Sequence, residues 1–247
     1  MARVVLVTGA TSGFGEEMAR SFVAAGDVVI GTGRRADRLR DLADRLGSAF
    51  RPLAFDVTDA AAAGAALADV GDVDVLVNNA GLALGIGKVP EADPADWETM
   101  IATNCSALAR VTRLVTPGMV ARKRGHVVNL GSIASTHAYP GGNVYGATKA
   151  FVRQFSANLR ADLHGTGLRV TLIEPAAART EFSEVRFKGD AARAEAVYRG
   201  FQPLTAVDVA AAVRWAVDQP QHVNVATIEL WPTAQSPGGP VYHRELP

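Results

Sequence analysis

Tyr145 and Lys149 stand four residues apart and form the pair in this sequence best suited to acid–base chemistry. The apolar residues after them recur with helical spacing, which predicts a helix over 145–163. Positions i and i+4 share one helix face, so the phenol and the ammonium would be neighbours. The ammonium is then expected to lower the tyrosine pKa, so that the phenol exchanges a proton with a carbonyl or alcohol oxygen near neutral pH. Taken alone, the motif fits equally a tyrosine and a lysine lying side by side on a helix surface.

The elements that would position this pair alternate between strands and helices along the chain. We predict strands at 4–7, 28–30, 54–55, 73–77, 126–130, 169–173 and 227–230, and helices at 14–25, 38–46, 60–70, 97–119, 145–163 and 207–217. This alternation predicts an α/β fold: a doubly wound, mostly parallel sheet of about seven strands with helices on both faces. Residues 1–247 are expected to form one domain. Ligands of such sheets bind beyond the carboxyl ends of the strands.

A glycine-rich turn follows the first predicted strand and opens the first helix. It spans Thr8–Gly15, with Gly9, Gly13 and Gly15 in the spacing Gly-x-x-x-Gly-x-Gly. Glycines let a backbone approach a pyrophosphate, and the helix N-terminus offers unpaired N–H donors. Any tight strand–helix turn can use glycine, but this placement between strand and helix favours a dinucleotide site.

The end of the second strand indicates which dinucleotide is bound. No acidic residue stands where a ribose-binding carboxylate would be expected, and Arg34 and Arg35 occupy that end instead. Guanidinium groups suit the 2′-phosphate of NADP(H) by charge and geometry. The alternative is that both arginines only end a solvated strand. Asp56, after the third strand, could accept from the adenine amino group or could be a solvated turn residue.

Composition excludes several other classes of protein. Twenty-five basic and 25 acidic residues give a formal net charge of zero, so no nucleic-acid partner is predicted. No stretch approaches the ~20 apolar residues of a membrane span. Cys105 is the only cysteine, which suits a reducing compartment. We therefore expect a cytoplasmic protein with no membrane association, and we predict no metal site.

Taken together, these motifs resemble those of the classical short-chain dehydrogenase/reductases over almost the whole chain. The resemblance rests on Thr8–Gly15, Asp56-Val57, Asn78-Asn79-Ala80-Gly81, Asn104, Gly131-Ser132, Tyr145 with Lys149, and Pro175–Thr180. Stretches 79–85, 96–101, 141–145 and 180–190 are similar to the branch of NADP-dependent 3-hydroxy acid (serine or allo-threonine) dehydrogenases. The resemblance implies an NADP(H)-dependent oxidoreductase on a Rossmann sheet, commonly a homotetramer.

The resemblance also implies roles for individual residues. Tyr145 would be the acid/base, Ser132 would hold the substrate oxygen, Lys149 would lower the tyrosine pKa and hold the nicotinamide ribose, and Asn104 would position a water next to Lys149. Without Tyr145 and Lys149, Ser132 would be interpreted as a turn cap and Asn104 as a mid-helix polar residue. The predicted NADP(H)-binding set comprises Gly9, Thr11, Ser12, Gly13, Phe14, Gly15, Arg34, Arg35, Asp56, Val57, Asn79, Ala80, Gly81, Tyr145, Lys149, Pro175 and Thr180.

The chain departs from the family after the sixth strand, where Pro175-Ala176 replaces the usual Pro-Gly. If that glycine needs a positive φ, Ala176 would strain the turn. Thr180 still stands where it could bind the nicotinamide carboxamide. Beyond it, Arg186 is the predicted anchor for a substrate anion, with Ser132 and Tyr145 completing the substrate site. Lys188 is the weaker choice, and both could instead be solvated charges.

The predicted activity is hydride transfer between NADP(H) and a small 3-hydroxy acid or its semialdehyde, a small-molecule substrate. A sulfonate aldehyde such as sulfoacetaldehyde, or a small ketone or aldehyde, would use the same chemistry. A dinucleotide-binding regulatory protein is the alternative outside enzymes. The intact set of Ser132, Tyr145 and Lys149 argues against that alternative.

Overall fold

A computed structural model describes residues 2–236, so the predicted domain of residues 1–247 extends beyond the described part. Its strands are β1 Val4–Thr8, β2 Val28–Gly33, β3 Phe50–Ala54, β4 Val75–Asn78, β5 Gly125–Leu130, β6 Leu168–Pro175 and β7 Thr227–Leu230. Its α-helices are α1 Gly13–Ala24, α2 Ala36–Leu46, α3 Ala60–Ala68, α4 Pro94–Ile101, α5 Leu108–Ala121, α6 Asn143–Asp162, α7 Phe182–Arg186, α8 Ala191–Ala196 and α9 Ala206–Val217.

The seven strands form one parallel sheet in the order β3-β2-β1-β4-β5-β6-β7. The chain winds outward from β1 in one direction through β2 and β3, then returns and winds in the other direction through β4 to β7. The order therefore reverses beside β1, which is where ligands of such sheets bind. The predicted doubly wound α/β fold is confirmed.

Alternating side chains of the central strands bury two separate apolar layers. Val5 and Val7 pack on one face with α1, α2 and α9, while Leu6 packs on the other with α3 and α5. A parallel sheet covered on both faces needs continuous apolar strands, which is what the sequence of β1 provides. Burying each such side chain contributes about 1.5–3 kcal/mol. This core fixes the strand ends that carry the polar residues described below.

Three elements differ from the sequence-based expectation. The third strand is Phe50–Ala54 rather than 54–55; Pro52 obscured it, and proline is tolerated because β3 lies at the sheet edge. The helix predicted at 97–119 is divided, because the segment Ala102–Ala107 between α4 and α5 is π-helical. The segment after Pro175, predicted as irregular, contains α7 and α8, which are too short for periodicity to reveal. Within the described residues, none of the helices combines the length and apolarity that a membrane crossing requires.

Candidate active site

Two adjoining cavities open at the carboxyl ends of the strands. The first, of about 310 Å³, lies over the ends of β1 to β5. The second, of about 370 Å³, lies over the ends of β5 and β6 and is covered by α7. Both are lined by Phe14, Gly131, Tyr145, Thr180 and Phe182. Tyr145 therefore stands where the two cavities meet.

The glycine-rich turn is shaped to admit a ligand against its backbone. Gly9 has φ of 71°, and a Cβ on Gly15 would lie 2.2 Å from the Gly9 carbonyl oxygen, so only glycine fits these positions. Asn79 binds the turn to β4 through its Nδ2, which donates to the carbonyls of Thr8 (2.8 Å) and Gly9 (3.1 Å). At the N-cap of α1, Ser12 makes no capping hydrogen bond, which leaves N–H donors of this helix facing the cavity. These features fit a dinucleotide pyrophosphate.

The two arginines after β2 have different surroundings. Arg35 donates from Nε and Nη2 to Thr11 Oγ1 at 3.1 and 2.9 Å and from Nη2 to Ser12 Oγ at 2.8 Å, and its Nη1 lies 2.8 Å from Glu181 Oε2. The Arg34 side chain is 70% exposed, and its Nη1 is 3.7 Å from Asp56 Oδ2. Both guanidiniums line the first cavity, and Arg35 lies beside the glycine-rich turn.

Asp56 behaves as a turn residue that also borders the first cavity. It accepts hydrogen bonds from Thr58 N and Oγ1 at 2.8 and 2.7 Å. Partial burial opposes ionisation of Asp56, but these bonds and Arg34 outweigh it and lower its pKa. These are the contacts of a turn residue, and the other carboxylate oxygen, Oδ2, lies 3.7 Å from Arg34 Nη1.

The expectation that Lys149 lowers the pKa of Tyr145 is wrong for this structure. Burial raises the pKa of Tyr145 to about 12, opposed by a hydrogen bond with Ser132 and by the charge of Arg186. Lys149 lies with Nζ 5.8 Å from the Tyr145 ring centroid and donates to the Leu130 carbonyl at 2.9 Å. Burial lowers the pKa of Lys149 itself to about 8. Helical spacing made the residues neighbours, but loss of water around both groups dominates their titration.

Ser132 and Asn104 are both held by backbone groups. Ser132 caps the short turn Ile133–Ser135 by accepting from Ala134 N at 3.2 Å, while its hydroxyl also faces the second cavity. Asn104 lies in the π-helical segment and is 1% exposed. Its Oδ1 accepts from Leu82 N at 2.9 Å, and its Nδ2 donates to Leu82 O at 2.8 Å and Thr148 Oγ1 at 3.0 Å. Asn104 thus fixes the strand-end loop and the Tyr145 helix together.

Arg186 lies on α7 with its guanidinium carbon 5.5 Å from the Tyr145 ring centroid and 5.4 Å from that of Tyr139. Its Nη2 donates to the Tyr139 hydroxyl at 2.7 Å, and it lines the second cavity. Lys188, the weaker choice, points elsewhere and pairs with Asp96 at 2.9 Å. Of the two cations, the structure therefore brings only Arg186 to Tyr145.

The substitution of alanine after Pro175 causes no backbone strain. Between residues 2 and 236, the positive-φ residues other than glycine are Lys123 and Lys188, so Ala176 is not among them. Its N–H donates to the Leu230 carbonyl at 2.8 Å, which extends the pairing of β6 with β7. Ala176 lines the second cavity together with Pro175. The strain that a positive φ would have caused is absent at this position.

The structure gathers most of the predicted residues. Those lining the first cavity are Gly9, Thr11, Ser12, Gly13, Phe14, Arg34, Arg35, Asp56, Val57, Asn79, Ala80, Gly81, Tyr145, Lys149 and Thr180. Gly15 lies beneath the turn, Pro175 borders the second cavity, and Asn104 is buried behind Gly81. Sequence reasoning missed Glu181 and Tyr139. An acid directly after Thr180, opposite two arginines, could have identified Glu181; nothing local identifies Tyr139.

Comparisons with known proteins agree with this geometry. Residues 3–191 match the family model for short chain dehydrogenase. The chain is 50% identical to a serine 3-dehydrogenase of Rhizobium radiobacter, over 99% of this chain and 100% of that protein. It is 53% identical to the NADP-dependent 3-hydroxy acid dehydrogenase YdfG of Escherichia coli K12, over 98% and 100%. A solved closed form of serine dehydrogenase complexed with NADP⁺ superimposes with a TM-score of 0.96 at 53% identity, covering 98% of this chain and 100% of that one.

Proposed function

Because this chain belongs to the short-chain dehydrogenase/reductase family, we propose that it interconverts a small 3-hydroxy acid and the corresponding carbonyl compound with NADP(H). The relative of 50% identity is named a serine 3-dehydrogenase, and the relative of 53% identity is named an NADP-dependent 3-hydroxy acid dehydrogenase. The same chemistry would reduce a sulfonate aldehyde or a small ketone, but no contact in the second cavity favours those substrates over a carboxylate.

The observation that carries the proposal is the position of Tyr145 between the two cavities. A dinucleotide in the first cavity and a small substrate in the second would meet beside its hydroxyl group. When bound, NADP⁺ supplies the hydride acceptor, and NADPH the hydride donor. Tyr145 would move the accompanying proton, to the carbonyl oxygen in reduction or from the hydroxyl in oxidation.

Ser132 is proposed to hold the reacting oxygen. Ser132 and Tyr145 both line the second cavity, so a substrate oxygen placed between the two hydroxyls could receive a hydrogen bond from each. Donors fixed before the reaction stabilise the charge that develops on that oxygen in the transition state. Its attachment to the turn Ile133–Ser135 keeps the hydroxyl in place.

Lys149 and Asn104 are proposed to bind the cofactor and to position the elements that carry Tyr145 and Ser132. Lys149 lines the first cavity and would hold the nicotinamide ribose through its ammonium group. Asn104 has its side-chain oxygen and nitrogen committed to Leu82 and Thr148, so it positions the loop and the helix. The water assigned to Asn104 by family resemblance stays part of the proposal.

Arg186 is proposed to bind the substrate carboxylate. It faces the second cavity next to Tyr145, and its planar fork can bind two carboxylate oxygens at once. Its partner, the hydroxyl of Tyr139, is neutral, so the guanidinium charge is not cancelled by that contact. A carboxylate entering the cavity would therefore find an available cation close to the acid/base.

Arg34 and Arg35 are proposed to select NADP(H) over NAD(H). Both lie at the end of β2, and two of the residues that Arg35 contacts, Thr11 and Ser12, belong to the glycine-rich turn. A 2′-phosphate at this point would receive charge-assisted hydrogen bonds that NAD(H) cannot accept.

The assembly and compartment belong to the same proposal. Family resemblance supports a homotetramer of one catalytic domain per chain, and the single cysteine suits the cytoplasm. Light scattering of the purified protein measures the number of chains. A monomeric mass would reject the tetramer without affecting the assignment of the reaction.

A cofactor and substrate panel tests the function. Formation of NADPH from NADP⁺, or of NADH from NAD⁺, is followed for small 3-hydroxy acids and for alcohols of equal size without the carboxylate. In the reverse direction, oxidation of NADPH or NADH is followed for small aldehydes, ketones and sulfonate aldehydes. The proposal expects the highest kcat/KM with NADP⁺ and a 3-hydroxy acid. A preference for neutral alcohols, or for NAD⁺, would contradict it.

A further inference from the structure

Glu181 joins the segment covering the active site to the region of the predicted 2′-phosphate site. It lies between Thr180 and α7, and it lines the first cavity. Its Oε2 is 2.8 Å from Arg35 Nη1, and its Oε1 is 2.7 Å from Arg38 Nη1. Each carboxylate oxygen therefore has a guanidinium of its own.

These contacts make Glu181 strongly anionic. Burial alone would favour the neutral acid, but hydrogen bonds from Arg35, Arg38 and Ser12 outweigh it and lower the pKa of Glu181 to about 2. A full negative charge thus lies against the guanidinium that a 2′-phosphate would need.

Every nitrogen of the Arg35 guanidinium is already engaged. Nε and Nη2 donate to Thr11 and Ser12, and Nη1 donates to Glu181. A phosphate can bind Arg35 through a fork only if one of these partners gives way. Glu181 can do so at the least cost, because its other oxygen keeps the ion pair with Arg38.

We propose that Glu181 is an internal counter-ion which competes with the 2′-phosphate of NADP(H) for Arg35. Cofactor binding then exchanges one ion pair of Arg35 for another, so Glu181 weakens NADP(H) binding without affecting NAD(H), which has no phosphate there. This inference rests on the proposed role of Arg35 in binding the 2′-phosphate.

The exchange of ion pairs at Arg35 would also affect the substrate site, because Glu181 is joined to α7 by the backbone. Phe182, the next residue, packs on Tyr145 with ring centroids 5.6 Å apart, and Arg186 is one helical turn further along α7. Release of Glu181 from Arg35 therefore occurs on the segment that covers the reacting atoms. Glu181 therefore links cofactor binding in the first cavity to α7, the helix that covers the second cavity.

The test is calorimetric titration of NADPH and NADH into wild type and Glu181→Gln, without substrate. The variant keeps the side-chain shape and removes the charge. Because partly exposed ion pairs contribute modestly, the Kd for NADPH should fall by about 3- to 10-fold while that for NADH stays constant. Glu184→Gln, at an exposed position on α7 just after Glu181, loses the same net charge and should change neither value.

Three further experiments separate the outcomes. Glu181→Ala should repeat the selective gain, and adenosine 2′,5′-bisphosphate should gain affinity where AMP does not. Equal changes for both cofactors, no change, or weaker NADPH binding would overturn the inference.

Arg35→Ala tests the underlying proposal: if it weakens NADPH and NADH equally, the 2′-phosphate assignment fails. If Arg35→Ala is selective and Glu181→Gln is not, only the competition fails.

Discussion

The Lys149 ammonium is directed at the carbonyl of Leu130, 2.9 Å away, rather than at the phenol of Tyr145, whose ring centroid lies 5.8 Å from Nζ. Both side chains are buried, and burial moves both pKa values toward the neutral forms, to about 12 for Tyr145 and about 8 for Lys149. Tyr145 is therefore a protonated phenol near neutral pH in the protein without cofactor. It is ready to donate a proton to a carbonyl oxygen.

The lowered pKa of Lys149 predicts a pH-dependent stability difference between wild type and Lys149→Met. The folded pKa of about 8 lies below the ordinary 10.5, so between these values the unfolded chain binds more protons than the folded protein. Relative to Lys149→Met, the wild-type free energy of unfolding should rise with pH through this window and be constant below it. Urea unfolding of both proteins measures this. A difference that is independent of pH would show that Lys149 has an ordinary pKa.

Arg35→Ala is expected to shift cofactor preference more than Arg34→Ala. Loss of a hydrogen bond to a charged group costs about 1.5–3 kcal/mol, so NADPH affinity should fall by roughly 10- to 100-fold with NADH little changed. Arg34 is largely exposed, so Arg34→Ala should also weaken NADPH binding selectively, but by a smaller factor than Arg35→Ala. Fluorescence titration of both cofactors measures the ratio, with exposed Arg40→Ala on α2 as control. Equal NADPH and NADH affinities in the unmutated protein would reject both arginines as phosphate ligands.

Arg186→Ala should raise KM for an acidic substrate by about 10- to 100-fold, because a forked carboxylate contact is lost. A neutral alcohol of similar size should be nearly unaffected. Arg186→Lys keeps the charge but loses the forked geometry, so its KM for the acidic substrate should lie between those of wild type and Arg186→Ala. Arg193→Ala, on α8, removes an equal charge outside the cavity and serves as the control. Parallel losses on acidic and neutral substrates would indicate a general defect of α7.

Asn104→Ala is expected to destabilise the protein by about 2–4 kcal/mol. The change leaves the Leu82 N–H and C=O without their partner at a partly buried position, where each unsatisfied group costs about 1–2 kcal/mol. Asn158→Ala, at an exposed position of α6, should cost little by comparison. Chemical unfolding of the two variants gives the comparison. A loss no greater than that of Asn158→Ala would remove Asn104 from its structural role.

The order of strands and helices could be predicted because each central strand is a continuous apolar run ended by a turn. Likewise, the spacing of Tyr145 and Lys149 correctly predicted that both reach one site. Their pKa values could not be predicted, since these depend on how completely the sheet and neighbouring helices exclude water. The single helix predicted over 97–119 was also wrong, because Ala102–Ala107 is π-helical; its Asn104 bonds Leu82, 22 residues away in the sequence.

Long-range pairing limited the prediction of the cofactor site. Arg34 and Arg35 could be placed at the end of β2, but their sequence does not reveal that Arg35 meets Glu181, 146 residues later. The strain considered for Ala176 depended on a backbone angle that adjacent residues do not determine. Its N–H pairs with Leu230, and this contact requires β7 to lie beside β6.

Tyr145→Phe tests whether Tyr145 carries the proton, because it removes only the hydroxyl group at the junction of the two cavities. The measurement is single-turnover oxidation of a small 3-hydroxy acid by NADP⁺, with NADPH affinity determined on the same samples. General acid–base catalysis is worth ~10²–10⁴ in rate, so the rate should fall by about that factor while the NADPH Kd is unchanged. Turnover close to wild type in Tyr145→Phe would contradict the assignment of Tyr145 as the proton carrier.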